Sequence, residues 1–156
     1  MQDIVVIGIG NTIKSDDGAG VRALEMLEPL VGDDVELVEG SVYCADMLPV
    51  LEGRRKAVFI DGIESGEEPG SIFRFTPDEV KEEKKISLSI HDFGVYELIM
   101  AARLLEQCPE ELVMFCVQVK DTSIGQELSP EVAAALPRLC ELVLEEVGGR
   151  PAATGG

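Results

Sequence analysis

Three stretches of the chain, "IVVI" at 4–7, "AVFI" at 57–60 and "LVMFCV" at 112–117, are apolar at every position. Short runs of this kind, bounded by turn residues or charge, read as strands buried on both faces. Between the first two, "DVELVEG" at 34–40 alternates polar and apolar like a further strand. From Asp17 to Leu30 the apolar residues Val21, Leu24, Met26 and Leu27 fall at helical spacing. "YCADMLPVLEG" at 43–53 reads as a short helix interrupted by Pro49.

In the second half, "EEPGSIFRFTPDEV" at 67–80 opens on a turn and carries Arg74 and Thr76 interleaved with apolar positions, which suits a sheet edge or a hairpin-like arm. The "KEEKK" run at 81–85 reads as solvated. "SIHD" at 89–92 has the spacing of a helix cap, and "FGVYELIMAARLLEQ" at 93–107 is so uniformly apolar that the helix should be well covered. The last helix is expected within 129–148, with Ser129 as cap and Pro130 at its first position. The β-α-β-α-β rhythm implies parallel strands. The expected fold is α/β, a three-layer α/β/α sandwich around a mainly parallel twisted sheet of about five strands.

A chain of 156 residues should bury roughly 70% of its unfolded surface, enough for one core. Residues 1–148 are read as a single domain and 149–156 as a flexible C-terminal tail. With 13 basic against 30 acidic side chains the net charge is −17, which repels nucleic acid and anionic lipid alike. No apolar run approaches the roughly 20 residues of a membrane span, so a cytoplasmic protein is expected. Cys44, Cys108, Cys116 and Cys140 form no C-x-x-C pair and read as reduced thiols, mostly core filler.

The segment "VVIGIGNTIKSDDGAG" at 5–20 raises a sharper question. A dinucleotide-binding G-x-G-x-x-G turn would place a third glycine, or alanine, where this chain has Ile13, and its helix N-terminus would be bare. Here two aspartates stand beside the turn instead. In an open α/β sheet, chemistry collects outside the carboxyl ends of the strands. Asp17 follows the first strand, and Asp61 is read as the end of the third, where an unpaired buried carboxylate would be costly. His91 is the chain's sole histidine. In the first turn of a helix, the dipole would favour its neutral, metal-binding form. Two carboxylates and an imidazole suit a divalent borderline metal such as nickel, zinc or iron. Asp16 is the rival of Asp17, with a supporting or capping role as the alternative.

These residues resemble the hydrogenase maturation endopeptidases: "GIGNTIKSDDGAG", "ELVEGS", "VFIDGI", "PGSIFRF", "SIHDFG" and "VQV" occur in that order over nearly the whole chain. The resemblance implies an α/β/α endopeptidase that removes the C-terminal extension from a nickel-iron hydrogenase large-subunit precursor once nickel has been inserted. It carries metal-sensing and catalytic roles onto Asp17, Asp61 and His91, an aspartyl type of protease. The nickel would be supplied by the precursor, with no tightly bound metal in the enzyme, which is expected to be a monomer. The stretch at Gln118 and Val119, where relatives often have proline after the glutamine, is expected to be substrate-contact surface. Two other readings stand beside this one: a non-catalytic nickel carrier or docking module using the same three residues, and a small nucleotide-binding oxidoreductase.

Overall fold

The computed structural model describes residues 2–40, 47–77 and 95–148, excluding the Tyr96 side chain. His91, Cys44, the "KEEKK" run, the "SIHD" cap and the tail at 149–156 lie outside the described residues. Five strands form one sheet: β1 (Ile4–Gly8), β2 (Val35–Glu39), β3 (Lys56–Ile63), β4 (Ile72–Phe75) and β5 (Glu111–Gln118). Their spatial order is β2-β1-β3-β5-β4, and all pair in parallel except β4, which runs antiparallel to β5 at the edge. The apolar runs became the three central strands, where both faces are covered and no alternation is needed. β4 is the edge strand that its interleaved Arg74 suggested.

Helix α1 (Ala19–Leu27) and the long α4 (Pro130–Glu146) cover one face of the sheet. On the other face lie α2 (Leu48–Leu51) and α3 (Val95–Leu104). Successive residues of β3 alternate between the two cores: Val58 and Ile60 pack toward α1 and α4, Ala57, Phe59 and Ile63 toward α2 and α3. This is the three-layer arrangement expected.

Several boundaries differ from the sequence reading, each for a local reason. The segment from Ser15 to Gly18 is a 3-10 turn and the regular helix starts only at Ala19. Pro49 does not interrupt α2 but sits in its first turn, where its missing N–H costs nothing. The coverage expected for 93–107 stops before its end: Leu104, the last residue of α3, and Leu105 beyond it are exposed. Asp61 does not end β3, which continues through Gly62 and Ile63, paired to Val117 and Gln118. At the other end of the chain Ser129 caps α4 by accepting from the Val132 N–H, with Pro130 in the first turn.

The topology fixes where a site belongs. From β1 the chain moves outward to β2, then returns to place β3 on the opposite side of β1. The connections therefore part between β1 and β3, and the crevice beyond their carboxyl ends is the switch point of the sheet.

Candidate active site at the switch point of the sheet

The turn after β1 is shaped by its own side chains. Gly10 has φ +139°, and a Cβ there would lie 1.8 Å from the carbonyl oxygen of Asp17, so the loop folds directly back on the glycine. At Gly20 a Cβ would come within 2.3 Å of the Ile60 carbonyl and 2.4 Å of the Ile9 carbonyl, which lets α1 cross the strand ends at backbone distance. The Asn11 N–H, the kind of donor a phosphate would need, is taken by Asp17 Oδ2 at 3.0 Å. Asn11 Oδ1 in turn accepts from the Ile13 N–H at 3.1 Å. The turn thus supplies its own anion and aims a carboxylate, which argues against the nucleotide-binding alternative.

Asp61 sits two residues inside the end of β3, on the α2/α3 face by alternation with Phe59 and Ile63. It is 1% exposed. Its Oδ1 accepts from the Gly62 N–H at 2.8 Å, while Oδ2 has no hydrogen-bond partner among the described residues. Burial, and then the nearby charge of Asp17, push the Asp61 carboxyl well above its ordinary 3.8, with the Gly62 N–H opposing. The loop acid Asp17 therefore lies near enough for its charge to act on the strand acid Asp61. Beside them Cys116 pairs in register with Asp61, and burial followed by the Asp61 charge holds its thiol well above the usual range. That is the behaviour of a core thiol, not of a nucleophile.

Asp16, the rival of Asp17, faces elsewhere. Its carboxylate accepts from the backbone N–H of Lys120 at 2.8 Å, of Asp121 at 2.9 Å and of Ser129 at 2.7 Å, and from the Ser129 hydroxyl at 2.8 Å. Burial alone would raise its pKa; the hydrogen bonds from Asp121, Ser129 and Lys120 outweigh this and hold it below 3.8. Asp16 is saturated with donors and ties the 3-10 turn to the loop that follows β5.

Gln118 is likewise structural, contrary to the substrate-contact surface expected there. It is buried, its Oε1 accepts from the Ser65 N–H and hydroxyl at 2.9 Å each, and its Nε2 donates to Glu64 Oε2 at 2.7 Å and the Val119 carbonyl at 2.8 Å. These bonds hold the loop that leaves β3. Polar residues ending an apolar run signalled that something there needed pairing, but not with what. His91, the third expected ligand, lies outside the described residues. Among the described residues no group of three His, Cys, Asp or Glu side chains is arranged to hold a metal ion. No helix among them is long and apolar enough to cross a membrane.

A mostly parallel α/β sandwich with one buried and one partly exposed aspartate at its switch point defines an enzyme-like scaffold. Comparison with known proteins is specific. Residues 21–146 match the family model of the hydrogenase maturation protease. Hydrogenase expression/formation protein HupD of Bradyrhizobium diazoefficiens is 34% identical over 91% of this chain and 78% of its own length. The chain spans 66% of the HupD of Thiocapsa roseopersicina. The solved hydrogenase maturating endopeptidase HybD from Escherichia coli superposes with a TM-score of 0.81 at 26% identity, covering 95% of this chain and 94% of that one. The solved NiFe hydrogenase maturation protease HycI from Thermococcus kodakarensis gives a TM-score of 0.72 at 29% identity, covering 92% and 91%. The chain belongs to the hydrogenase maturation protease family and is an endopeptidase of that type.

Proposed function

We propose that this endopeptidase removes the C-terminal extension of a nickel-iron hydrogenase large-subunit precursor after nickel insertion, and that it recognises nickel already held by the precursor. The observation that carries the reading is Asp61 Oδ2, a buried carboxylate oxygen without a hydrogen-bond partner among the described residues, beside a second carboxylate, Asp17. Such an arrangement calls for a cation or a proton. A metal that arrives with the substrate satisfies it transiently, and the enzyme needs no metal of its own. His91 is the residue we assign as a third ligand beside the two acids. In support, Val95 at the start of α3 packs in the same core cluster as Ile63 and Cys116, which places the helix that follows His91 on the Asp61 face.

In this reading Asp17, held by the Asn11 N–H, and Asp61, held by the Gly62 N–H, orient toward the metal. Bound by these side chains, nickel held by the precursor would supply Lewis-acid polarisation of the scissile carbonyl or of a water molecule, with Asp17, Asp61 or His91 moving the proton. The protein acts as a cytoplasmic monomer, and its net charge of −17 disfavours nucleic acid and membrane surfaces as partners. Incubation with a nickel-loaded precursor should shorten it by its tail, while nickel-free precursor stays intact. Cleavage that proceeds equally without nickel overturns the proposal, and so does tight nickel binding by the isolated enzyme, the mark of a carrier.

A further inference from the structure

The residue that breaks the dinucleotide pattern, Ile13, has no part in the acidic site and is 54% exposed. Ile124, on the loop after β5, is 89% exposed. The two are register neighbours. Lys14 pairs in parallel with Gly125, whose N–H donates to the Ile13 carbonyl and whose carbonyl accepts from the Ser15 N–H, each at 2.8 Å. This single bridge places Ile13, in the loop of Asn11 and Asp17, beside Ile124 of the loop after β5, and the two form an exposed apolar ridge.

A single exposed isoleucine needs no explanation. A pair fixed in register on a rigid support is different. Ser15 holds φ +50°, an uncommon conformation for a non-glycine residue, and its hydroxyl donates to the Ser123 carbonyl at 2.9 Å. Arg22 donates to the Gln126 carbonyl at 3.1 Å, and the four bonds to Asp16 fasten both ends of the opposing loop. In the isolated chain this pinning only keeps two large apolar side chains in water. It gains something when a second surface covers them, because their ordering has already been met.

We infer that the Ile13–Ile124 ridge docks an apolar patch on the folded body of the precursor, outside the segment that is cut. This rests on the proposed function. The argument is continuity: Asp17, partly exposed and near enough for its charge to act on buried Asp61, shares its loop with Ile13, so a polypeptide that engages Asp17 lies against the loop that holds one side of the ridge. The buried acid meets the scissile segment and its metal; the exposed ridge meets the protein around them.

The test compares wild type, Ile13→Ser/Ile124→Ser and Ile13→Leu/Ile124→Leu on nickel-loaded precursor, with melting and sedimentation measured in parallel. For the serine variant KM should rise on the order of 30-fold, as loss of two interface anchors implies, with kcat and melting temperature unchanged. The leucine variant should restore KM. An unchanged KM, a fall in kcat alone, or a lowered melting temperature overturns the ridge while the proposed function stands. So does a wild-type dimer that the serine variant dissolves, since the ridge would then serve a second copy. A wild type that leaves the precursor uncut removes the proposed function itself, and the ridge assignment with it.

Discussion

Lys56 and Asp61 stand on the same strand, both buried, at opposite ends of the sheet. At the Lys56 end every buried charge is met. Lys56 Nζ donates to the Glu146 carbonyl at 2.7 Å and to Glu146 Oε2, while Glu146 Oε1 accepts from Arg74 Nε at 2.7 Å. Arg54 donates to the Val50 carbonyl at 2.9 Å, to the Gln2 carbonyl at 2.6 Å and to Glu36. At the other end Asp61 has one short bond to its neighbour, an oxygen with none among the described residues, and a second carboxylate nearby. Folding alone selects for pairing, since removing one partner of a buried ion pair costs several kcal/mol. An end of the sheet that leaves a buried acid oxygen without a partner among the described residues is therefore organised around something other than folding.

The largest expected effect breaks the comparison at Asp61. Asp61→Asn is nearly isosteric, so the fold should hold, but processing of nickel-loaded precursor should fall at least ~10³-fold if both the metal contact and the proton are lost. The free enzyme should become more stable by about 1–2 kcal/mol near neutral pH, because an amide replaces an acid that burial and the Asp17 charge force to take up a proton on folding. Denaturant titration and a gel assay on one preparation measure both. A variant that is less stable and still cuts would mean that Asp61 is structural.

Asp16→Ala comes next and should show the opposite profile. It strands three backbone donors and the Ser129 hydroxyl, so a loss of roughly 3 kcal/mol or more is expected. Urea unfolding reads it directly. Adjacent aspartates thus separate into one that holds the loop and one that the loop presents.

That separation was not legible in the sequence. Asp16 and Asp17 differ there in nothing but order, and the partners that distinguish them, Lys120, Asp121 and Ser129, lie beyond four strands and three helices of the chain. Gln118 was missed for the same reason, since its partners Ser65 and Glu64 belong to another loop. The central strands were readable because burial on both faces leaves uninterrupted apolar runs, and the cap at Ser129 because capping is local. The meeting of Asp17 and Asp61 was readable through topology: once β1 and β3 are parallel neighbours, the residues at their carboxyl ends share a crevice. Where Asp61 lies within its strand was not, because pairing with β5 extends β3 past the apolar run. His91 remains an assignment made from the sequence.

Lys56→Met tests the other end with a smaller effect. Glu146 keeps Arg74, so the loss should be about 2 kcal/mol, below that of a fully stranded charge. Processing should be unchanged, because the substitution lies at the amino end of β3, away from the crevice. A loss of activity without a loss of stability would deny that the two ends have separate tasks.

The smallest effect is a difference in sign with pH. Asp61 has a folded pKa raised above 3.8, so the native state keeps a proton that the unfolded chain releases. Its contribution to stability therefore declines as pH rises from about 3.8 toward the folded value. Glu146 is the reverse. Burial acts to raise its pKa, yet the bonds from Arg74 and Lys56 outweigh that and hold it below 4.5. Its stabilisation is present above 4.5 and is lost as pH falls through the lower, folded value. Urea midpoints of wild type, Asp61→Asn and Glu146→Gln between about pH 3 and 7 should diverge accordingly. The advantage of Asp61→Asn should be near zero at the acid end and grow toward neutrality. The deficit of Glu146→Gln should be full at neutrality and shrink below about 4.5. If the Asp61→Asn advantage stays constant across that range, the orphaned oxygen carries no titrating charge, and the contrast between the two ends of β3 reduces to packing.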